Sequence, residues 1–149
     1  MNIIVLGAGT FGTAIANELS VNTKNNVFLY SRNRDKVQEI NQFNTNKSCF
    51  PNKHLTKELK ATSDKNQIKF ADVIFIALPS DVIIENLNVL KSHFKEGVLL
   101  VNLSKGLLVD GVTIVESIQG SIHIHNVVTL KGPSFAVELM EHSDTLLTL

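Results

Sequence analysis

The stretch that decides the fold reads Met1-Asn-Ile-Ile-Val-Leu-Gly7-Ala-Gly-Thr-Phe-Gly12-Thr-Ala-Ile-Ala16. The apolar run Asn2–Leu6 leads into the pattern Gly-x-Gly-x-x-Gly and then into a segment with helical spacing. In such a unit the first glycine permits a tight turn, the second lets phosphate oxygens approach the backbone, and the third lets the helix pack on the strand. The free N–H groups and the dipole of the helix then favour the anion. The pattern predicts a dinucleotide-binding turn over Gly7, Gly9 and Gly12, with a purely structural glycine-rich turn as the alternative.

Composition predicts one globular domain and excludes several kinds of partner. The chain has 149 residues, is 44% hydrophobic and carries a formal net charge of zero, so nothing indicates a nucleic acid or a membrane surface as a partner. No apolar run is long enough to span a bilayer, and the N-terminus lacks the features of a signal peptide. Cys49 is the one cysteine, so an intramolecular disulfide is impossible. His123 and His125 share one face of a predicted strand but lack a third ligand. We expect a cytoplasmic protein without a metal.

Apolar runs alternate with amphipathic stretches along the chain, which is typical of βαβ units. We predict a Rossmann-type, doubly wound α/β fold with a mostly parallel sheet and helices on both faces, as one domain over residues 1–149. The predicted strands are Asn2–Leu6, Val27–Tyr30, Leu59–Thr62, Ala71–Leu78, Val98–Leu103, His125–Leu130 and Thr145–Leu149. The predicted helices are Phe11–Val21, Asn33–Phe43, one capped by Ser80, Gly111–Ile118 and Ser134–Glu141, and residues 44–57 are predicted to form an irregular polar loop.

Ligands of such a sheet lie beyond the carboxyl ends of its strands. Arg32 follows the second predicted strand, about 20 residues after the glycine turn, where an acidic residue would bind the ribose hydroxyls of NAD. Together with Arg34 it can instead accept a 2′-phosphate, which favours NADP or a tolerance of both cofactors. The alternative is a solvated cation at the end of a strand.

Three further junctions lie at the same predicted edge. Pro79 ends an apolar strand and shapes the chain near the cofactor. Lys105 directly follows another strand, where an ammonium can hold a substrate phosphate or polarise a carbonyl, although most lysines are merely solvated. Gly132-Pro-Ser134 allows close backbone approach and exposes N–H groups that can bind an anion, or it simply begins a helix.

Five stretches carry a resemblance: Gly7-Ala-Gly-Thr-Phe-Gly-Thr-Ala14, Phe50-Pro-Asn52, Leu78-Pro-Ser80, Ser104-Lys-Gly-Leu107 and Lys131-Gly-Pro-Ser-Phe-Ala-Val-Glu138. In this order they resemble the NAD(P)-dependent glycerol-3-phosphate dehydrogenases of the bacterial type, over essentially the whole chain. Lys105-Gly106 paired with Gly132–Ala136 is the discriminating part, because many dehydrogenases share the opening turn. The family reduces dihydroxyacetone phosphate with NAD(P)H to sn-glycerol 3-phosphate, for phospholipid synthesis.

The resemblance implies roles for particular residues. The cofactor contacts would be Gly7, Gly9, Thr10, Phe11, Gly12, Arg32, Lys105 and Ala136. Lys105 would also touch the substrate, with Gly132 and Ser134 near the substrate phosphate. Phe11 stands where the family usually has Trp or Tyr, Lys131 where Ser is common, and Asp144 where Pro is common.

The resemblance also implies what the rest of the protein supplies. In the family a second, all-helical domain carries the lysine that acts as general acid and base, the remaining phosphate contacts and the dimer contacts. That lysine would lie beyond Leu149, so we expect no catalytic proton donor in this chain, an inactive isolated chain and a homodimeric full-length protein.

Two alternatives remain at this stage. One is the corresponding domain of a 6-phosphogluconate- or ketopantoate-type dehydrogenase, which shares the opening turn. The other is a free-standing nucleotide-sensing module, complete at 149 residues. An exposed apolar edge around Thr145–Leu149 argues against the second alternative.

Overall fold

In a computed structural model of the chain, the structure describes residues 1–106, 111–132, 136–141 and 148. These residues include a six-stranded parallel sheet in the order β3-β2-β1-β4-β5-β6. The strands are β1 (Asn2–Leu6), β2 (Asn26–Tyr30), β3 (Lys60–Thr62), β4 (Val73–Ile76), β5 (Leu99–Asn102) and β6 (Val127–Thr129). The order reverses at β1, which is the doubly wound arrangement that the sequence predicts.

Strand β1 lies at the centre of the sheet. Its last residue, Leu6, pairs with Tyr30 of β2 on one side and with Ile76 of β4 on the other. The three strands therefore end level, and the segments that follow them meet at one edge. Every residue of β1 after Asn2 is buried, which is why this strand appears in the sequence as a continuous apolar run rather than as an alternating one.

Helices cover both faces of the sheet. They are α1 (Thr10–Val21), α2 (Arg34–Phe43), α3 (Ile83–Leu90), α4 (Ile114–Ile122) and α5 (Ala136–Met140). Ile3 and Val5 pack on one side, in a core shared with α1, α2 and α5, whereas Ile4 and Leu6 pack on the other side, with α3 and α4. The two alternating sets of β1 side chains thus anchor two separate hydrophobic cores.

The structure confirms the fold class and corrects several local predictions. Ser80 does not cap a helix: it lies in a 3₁₀ turn, Ser80–Val82, and α3 begins only at Ile83. Helix α4 starts three residues later than predicted, because Thr113 and Glu116 form a reciprocal capping box at its N-terminus.

The pair of histidines is also placed differently from the prediction. His123 ends α4 in the left-handed conformation and His125 precedes β6, so the two do not share a strand face. The predicted strand Thr145–Leu149 and the predicted helix start at Ser134 fall outside the described residues, apart from Thr148, which bridges Lys131. None of the described helices combines the length and apolarity needed to cross a bilayer.

Candidate functional site

A cavity of about 500 Å³ opens at the edge where β1, β4 and β5 end. It brings together most of the residues that the sequence singles out for cofactor contact: Gly7, Gly9, Thr10, Phe11, Gly12, Lys105 and Ala136. Pro79 and Ser104 complete this edge from the ends of β4 and β5. Strand ends that are distant in the sequence therefore form one site, as the topology requires.

Each glycine of the opening turn occupies a different environment. Gly7 has a φ of 109°, in the region that favours glycine, and a Cβ there would overlap the carbonyl oxygen of Ala77. A Cβ on Gly12 would overlap the carbonyl oxygen of Gly7, so only glycine lets α1 pack this closely on the turn. A Cβ on Gly9 would meet no atom of the described residues within 4 Å. Gly7 and Gly12 thus serve the fold, and Gly9 leaves open space beside the cavity.

The N-terminus of α1 is built to receive a negative charge. Gly9 is its N-cap residue and provides no side-chain cap, and the first turn contains no acidic residue. The first intrahelical bond runs from the Thr13 N–H to the Gly9 carbonyl oxygen, at 2.9 Å. The N–H groups of α1 before Thr13 have no hydrogen-bond partner among the described residues, and the positive end of the helix dipole lies behind them.

Lys105 is exposed at the mouth of the cavity, and the turn that carries it is held at its base. Asn102, only 2% exposed, accepts a hydrogen bond from the Ser104 N–H at 3.1 Å and donates one to the Ser104 carbonyl at 3.2 Å. The Ser104 hydroxyl donates to the Leu78 carbonyl at 2.5 Å, which ties this turn to the end of β4. The sequence analysis assigns no role to Asn102, although a polar residue at the end of an otherwise apolar strand is a signal that could have indicated one.

Arg32 lies in an adjoining cavity of about 300 Å³ on the other side of the glycine turn. Gly7 lines both cavities and Ala8 lines the second, so the two spaces adjoin at the glycine turn. Burial raises the pKa of the Tyr30 phenol there, and the charge of Arg32 partly offsets this effect. The Tyr30 ring therefore stays neutral at physiological pH, and the exposed Arg32 guanidinium is the positive charge of the second cavity.

Of the two other predicted substrate contacts, Gly132 and Ser134, the structure describes only Gly132. Gly132 is half-buried beside the bridge between Lys131 and Thr148, and among the described residues it does not line the cavity. Ser134 lies outside the described residues. Sequence reasoning also missed Lys36 and Asn46, whose side chains contact the glycine turn from behind.

Comparison with known proteins gives concordant matches. The family model described as NAD-dependent glycerol-3-phosphate dehydrogenase N-terminus matches residues 2–149. The glycerol-3-phosphate dehydrogenase (NAD(P)+) of Neorickettsia sennetsu is 33% identical over 141 residues, which cover 94% of this chain and 42% of that protein. The enzyme of the same name from Malacoplasma penetrans is 35% identical, with 97% and 45% covered.

Solved structures agree with the sequence matches. The crystal structure of glycerol-3-phosphate dehydrogenase from Coxiella burnetii aligns with a TM-score of 0.86 at 27% identity, covering 98% of this chain and 45% of that one. The chain thus spans less than half the length of the relatives that it matches.

Proposed function

Because the chain belongs to the family of N-terminal domains of NAD-dependent glycerol-3-phosphate dehydrogenases, we propose that it binds NAD(P)H for the reduction of dihydroxyacetone phosphate to sn-glycerol 3-phosphate. The observation that carries this proposal is the cavity at the strand ends. There the open N-terminus of α1 and Lys105 line the same space of about 500 Å³.

The residues present fit a dinucleotide. Gly9 leaves open space next to unpaired N–H groups, which suits the oxygens of a pyrophosphate. The two cavities on either side of the turn provide separate room for the two halves of such a molecule. Phe11 and Ala136 give the first cavity an apolar wall on which a planar ring can lie.

When bound, the nicotinamide supplies the hydride. Lys105 lines the same space from the turn after β5, so its ammonium can attract the substrate phosphate and polarise the ketone oxygen. The reduction also needs a proton at that oxygen. We assign this proton to a lysine in the part of the protein that follows this chain, which makes the isolated chain inactive.

Arg32 determines which cofactor is accepted. Its guanidinium lies at the second cavity, one residue beyond Ser31 and two beyond the end of β2. A cation at this position attracts a 2′-phosphate and leaves the ribose hydroxyls of NAD without a carboxylate partner. The proposal is therefore a preference for NADPH with retained binding of NADH. The complete protein is proposed to be a cytoplasmic homodimer.

The test uses the full-length protein and follows the loss of NADPH absorbance. Dihydroxyacetone phosphate is the expected substrate, and ketopantoate is compared with it at equal concentration. Oxidation of 6-phosphogluconate by NADP+ is measured as the third reaction. Faster turnover of either comparison substrate would overturn the proposal, and so would a turnover of a few per second by residues 1–149 alone, a rate within the ordinary range of complete enzymes.

A further inference from the structure

One backbone carbonyl in the glycine turn has three separate hydrogen-bond donors. The carbonyl oxygen of Ala8 accepts from the Lys36 ammonium at 3.0 Å, from the Asn46 side-chain amide at 3.3 Å and from the Cys49 thiol at 3.7 Å. A single partner would satisfy a buried carbonyl. The Ala8 carbonyl oxygen thus has more hydrogen-bond donors than its burial alone requires, and one of them is charged.

Asn46 is the most constrained of these donors. Its side chain is 0% exposed, and its amide nitrogen also donates to the hydroxyl of Thr13, at 2.8 Å. Thr13 is itself 0% exposed and lies in the first turns of α1. The amide oxygen of Asn46 accepts from the Ser48 hydroxyl at 2.9 Å. One buried side chain therefore connects the glycine turn to the helix that follows it.

The direction of the Ala8 carbonyl determines that of a donor in the cavity. In a trans peptide the C=O of one residue and the N–H of the next point in opposite directions. With the Ala8 oxygen held toward Lys36 and Asn46, the Gly9 N–H points away from them. That N–H makes no hydrogen bond to any described residue. Charge-assisted bonds at the oxygen also polarise the whole peptide unit and make its N–H a stronger donor.

Lys36 holds its place through the start of α2. Asn33 caps this helix by accepting from the backbone N–H of Lys36, at 3.0 Å. The cap fixes the first turn of α2, and the half-buried Lys36 side chain extends from there to the back of the glycine turn. Its positive charge therefore lies behind the turn and adds to the α1 dipole in the direction that favours an anion.

We propose that Lys36 and Asn46 are positioning residues that orient the Ala8–Gly9 peptide for the cofactor pyrophosphate. This inference rests on the proposed binding of NAD(P)H. Neither side chain needs to touch the cofactor. Both act through the Ala8 carbonyl, so they influence NADH and NADPH equally, because the two molecules share the pyrophosphate. Arg32 differs from them in this respect, because only NADPH carries the 2′-phosphate.

The experiment measures the dissociation constants of NADH and NADPH by calorimetry on the full-length protein. Lys36→Met keeps the length of the side chain and removes its charge and its donor. We expect both dissociation constants to rise by the same factor, roughly tenfold. Asn46→Ala should raise both constants as well, with some loss of thermal stability because Thr13 and Ala8 lose a buried partner.

Asn17 provides the matched control for Asn46. It is 4% exposed, and its side-chain oxygen accepts from the Thr56 N–H at 2.7 Å, so it fastens the same loop to α1 without touching Ala8. Asn17→Ala should lower the melting temperature about as much as Asn46→Ala and leave both dissociation constants within twofold of the wild type. A merely structural role for Asn46 predicts equal effects of the two variants on affinity.

A second measurement does not depend on the cofactor. In protein labelled with ¹⁵N-glycine, the Gly9 amide resonance of the cofactor-free protein should shift in Lys36→Met and stay in place in Asn17→Ala. Unchanged affinity for both cofactors in Lys36→Met and Asn46→Ala would overturn the inference. Loss of NADPH affinity alone in Lys36→Met would instead make Lys36 a 2′-phosphate ligand and would also overturn it. Failure of the wild-type protein to bind either cofactor would overturn the proposed function itself.

Discussion

The turn after β1 and the turn after β5 end at the same edge of the sheet and line the same cavity, yet they are held very differently. The first is fixed at two successive residues: the Gly7 N–H donates to the Tyr30 carbonyl at 3.1 Å, and three donors hold the Ala8 oxygen. The second is fixed at its base by Asn102. Beyond that, Lys105 is exposed and makes no hydrogen bond to any described residue.

The two turns therefore differ in when their binding groups lose conformational entropy. The donors of the glycine turn lose their conformational freedom when the chain folds, so binding a ligand orders them little further. Lys105 keeps its rotamer freedom in the folded protein and loses this entropy only when a ligand binds. A fixed turn suits a cofactor that binds in one way in every cycle, and a free ammonium suits a substrate that arrives, changes charge distribution and leaves.

The largest effect is expected where the fixed turn is most crowded. Gly12→Ala places a methyl group against the Gly7 carbonyl, which is backbone and has little room to move. We expect the free energy of unfolding to fall by about 3 kcal/mol and cofactor affinity to fall more than a hundredfold. Denaturant unfolding and calorimetry measure the two quantities.

Gly9→Ala is the control for that substitution, since a Cβ there meets none of the residues that the structure describes within 4 Å. The free energy of unfolding of Gly9→Ala should stay within about 1 kcal/mol of the wild-type value. Its methyl group should, however, leave less room for the phosphate beside the turn. Wild-type cofactor affinity in Gly12→Ala would contradict this picture of a fixed glycine turn.

The next largest effect is expected at the Lys105 ammonium. In the full-length enzyme, Lys105→Met should lower kcat/KM for dihydroxyacetone phosphate roughly a hundredfold or more, because a cation at the reacting carbonyl is lost. The melting temperature and the dissociation constant of NADPH should hardly change, since Lys105 has no partner among the described residues. Lys57→Met, at another exposed lysine, is the matched control. A large loss of NADPH affinity in Lys105→Met would assign this lysine to the cofactor side instead.

An intermediate effect is expected at Arg32. Arg32→Ala should raise the dissociation constant of NADPH about tenfold and leave that of NADH unchanged, because only the first cofactor offers a 2′-phosphate. NADH is therefore the internal control in this titration. Equal weakening of both cofactors would contradict the role in specificity and would group Arg32 with the residues that act on the pyrophosphate.

The smallest effect lies away from both turns, at the capping box of α4. Hydrogen bonds from the hydroxyl and the backbone N–H of Thr113 lower the pKa of Glu116 below its usual value of 4.5. A lowered pKa in the folded state contributes stability above pH 4.5 and loses it as the pH falls through the lowered value. Glu116→Gln should therefore be less stable than the wild type at neutral pH and equal to it in acid. Unfolding curves from neutral pH to about pH 3 test this, with unchanged cofactor affinity.

The two turns also differ in how far the sequence predicts them. The fold and the roles of Gly7, Gly9 and Gly12 follow from local spacing, because a buried apolar strand and the helix after it are both continuous in the chain. The rule that ligands lie at the carboxyl ends of parallel strands indicates Lys105, whereas the cofactor contact of Ala136 is implied only by the family resemblance. The structure brings both residues to the cavity.

The support behind the glycine turn did not follow from the sequence. Asn46 stands in a polar stretch, Asn44-Thr-Asn-Lys-Ser48, where nothing distinguishes a fully buried amide from a solvated one. It becomes buried only because the loop folds onto α1, a contact between distant parts of the chain. The prediction that Ser80 caps a helix is wrong for a local reason. After Pro79 the chain first forms a 3₁₀ turn, so α3 begins beyond the serine.

The central position of β1 has a consequence for the synthesis of the protein. This strand is synthesised before one of its two partners, β4, with which it pairs through Ile3 and Val73. At about 5–20 residues per second, several seconds separate the emergence of these two strands. During that interval one edge of a strongly apolar strand is unpaired and open to aggregation or to a chaperone. The segment that carries the cofactor turn is thus made several seconds before the strand that covers one of its edges.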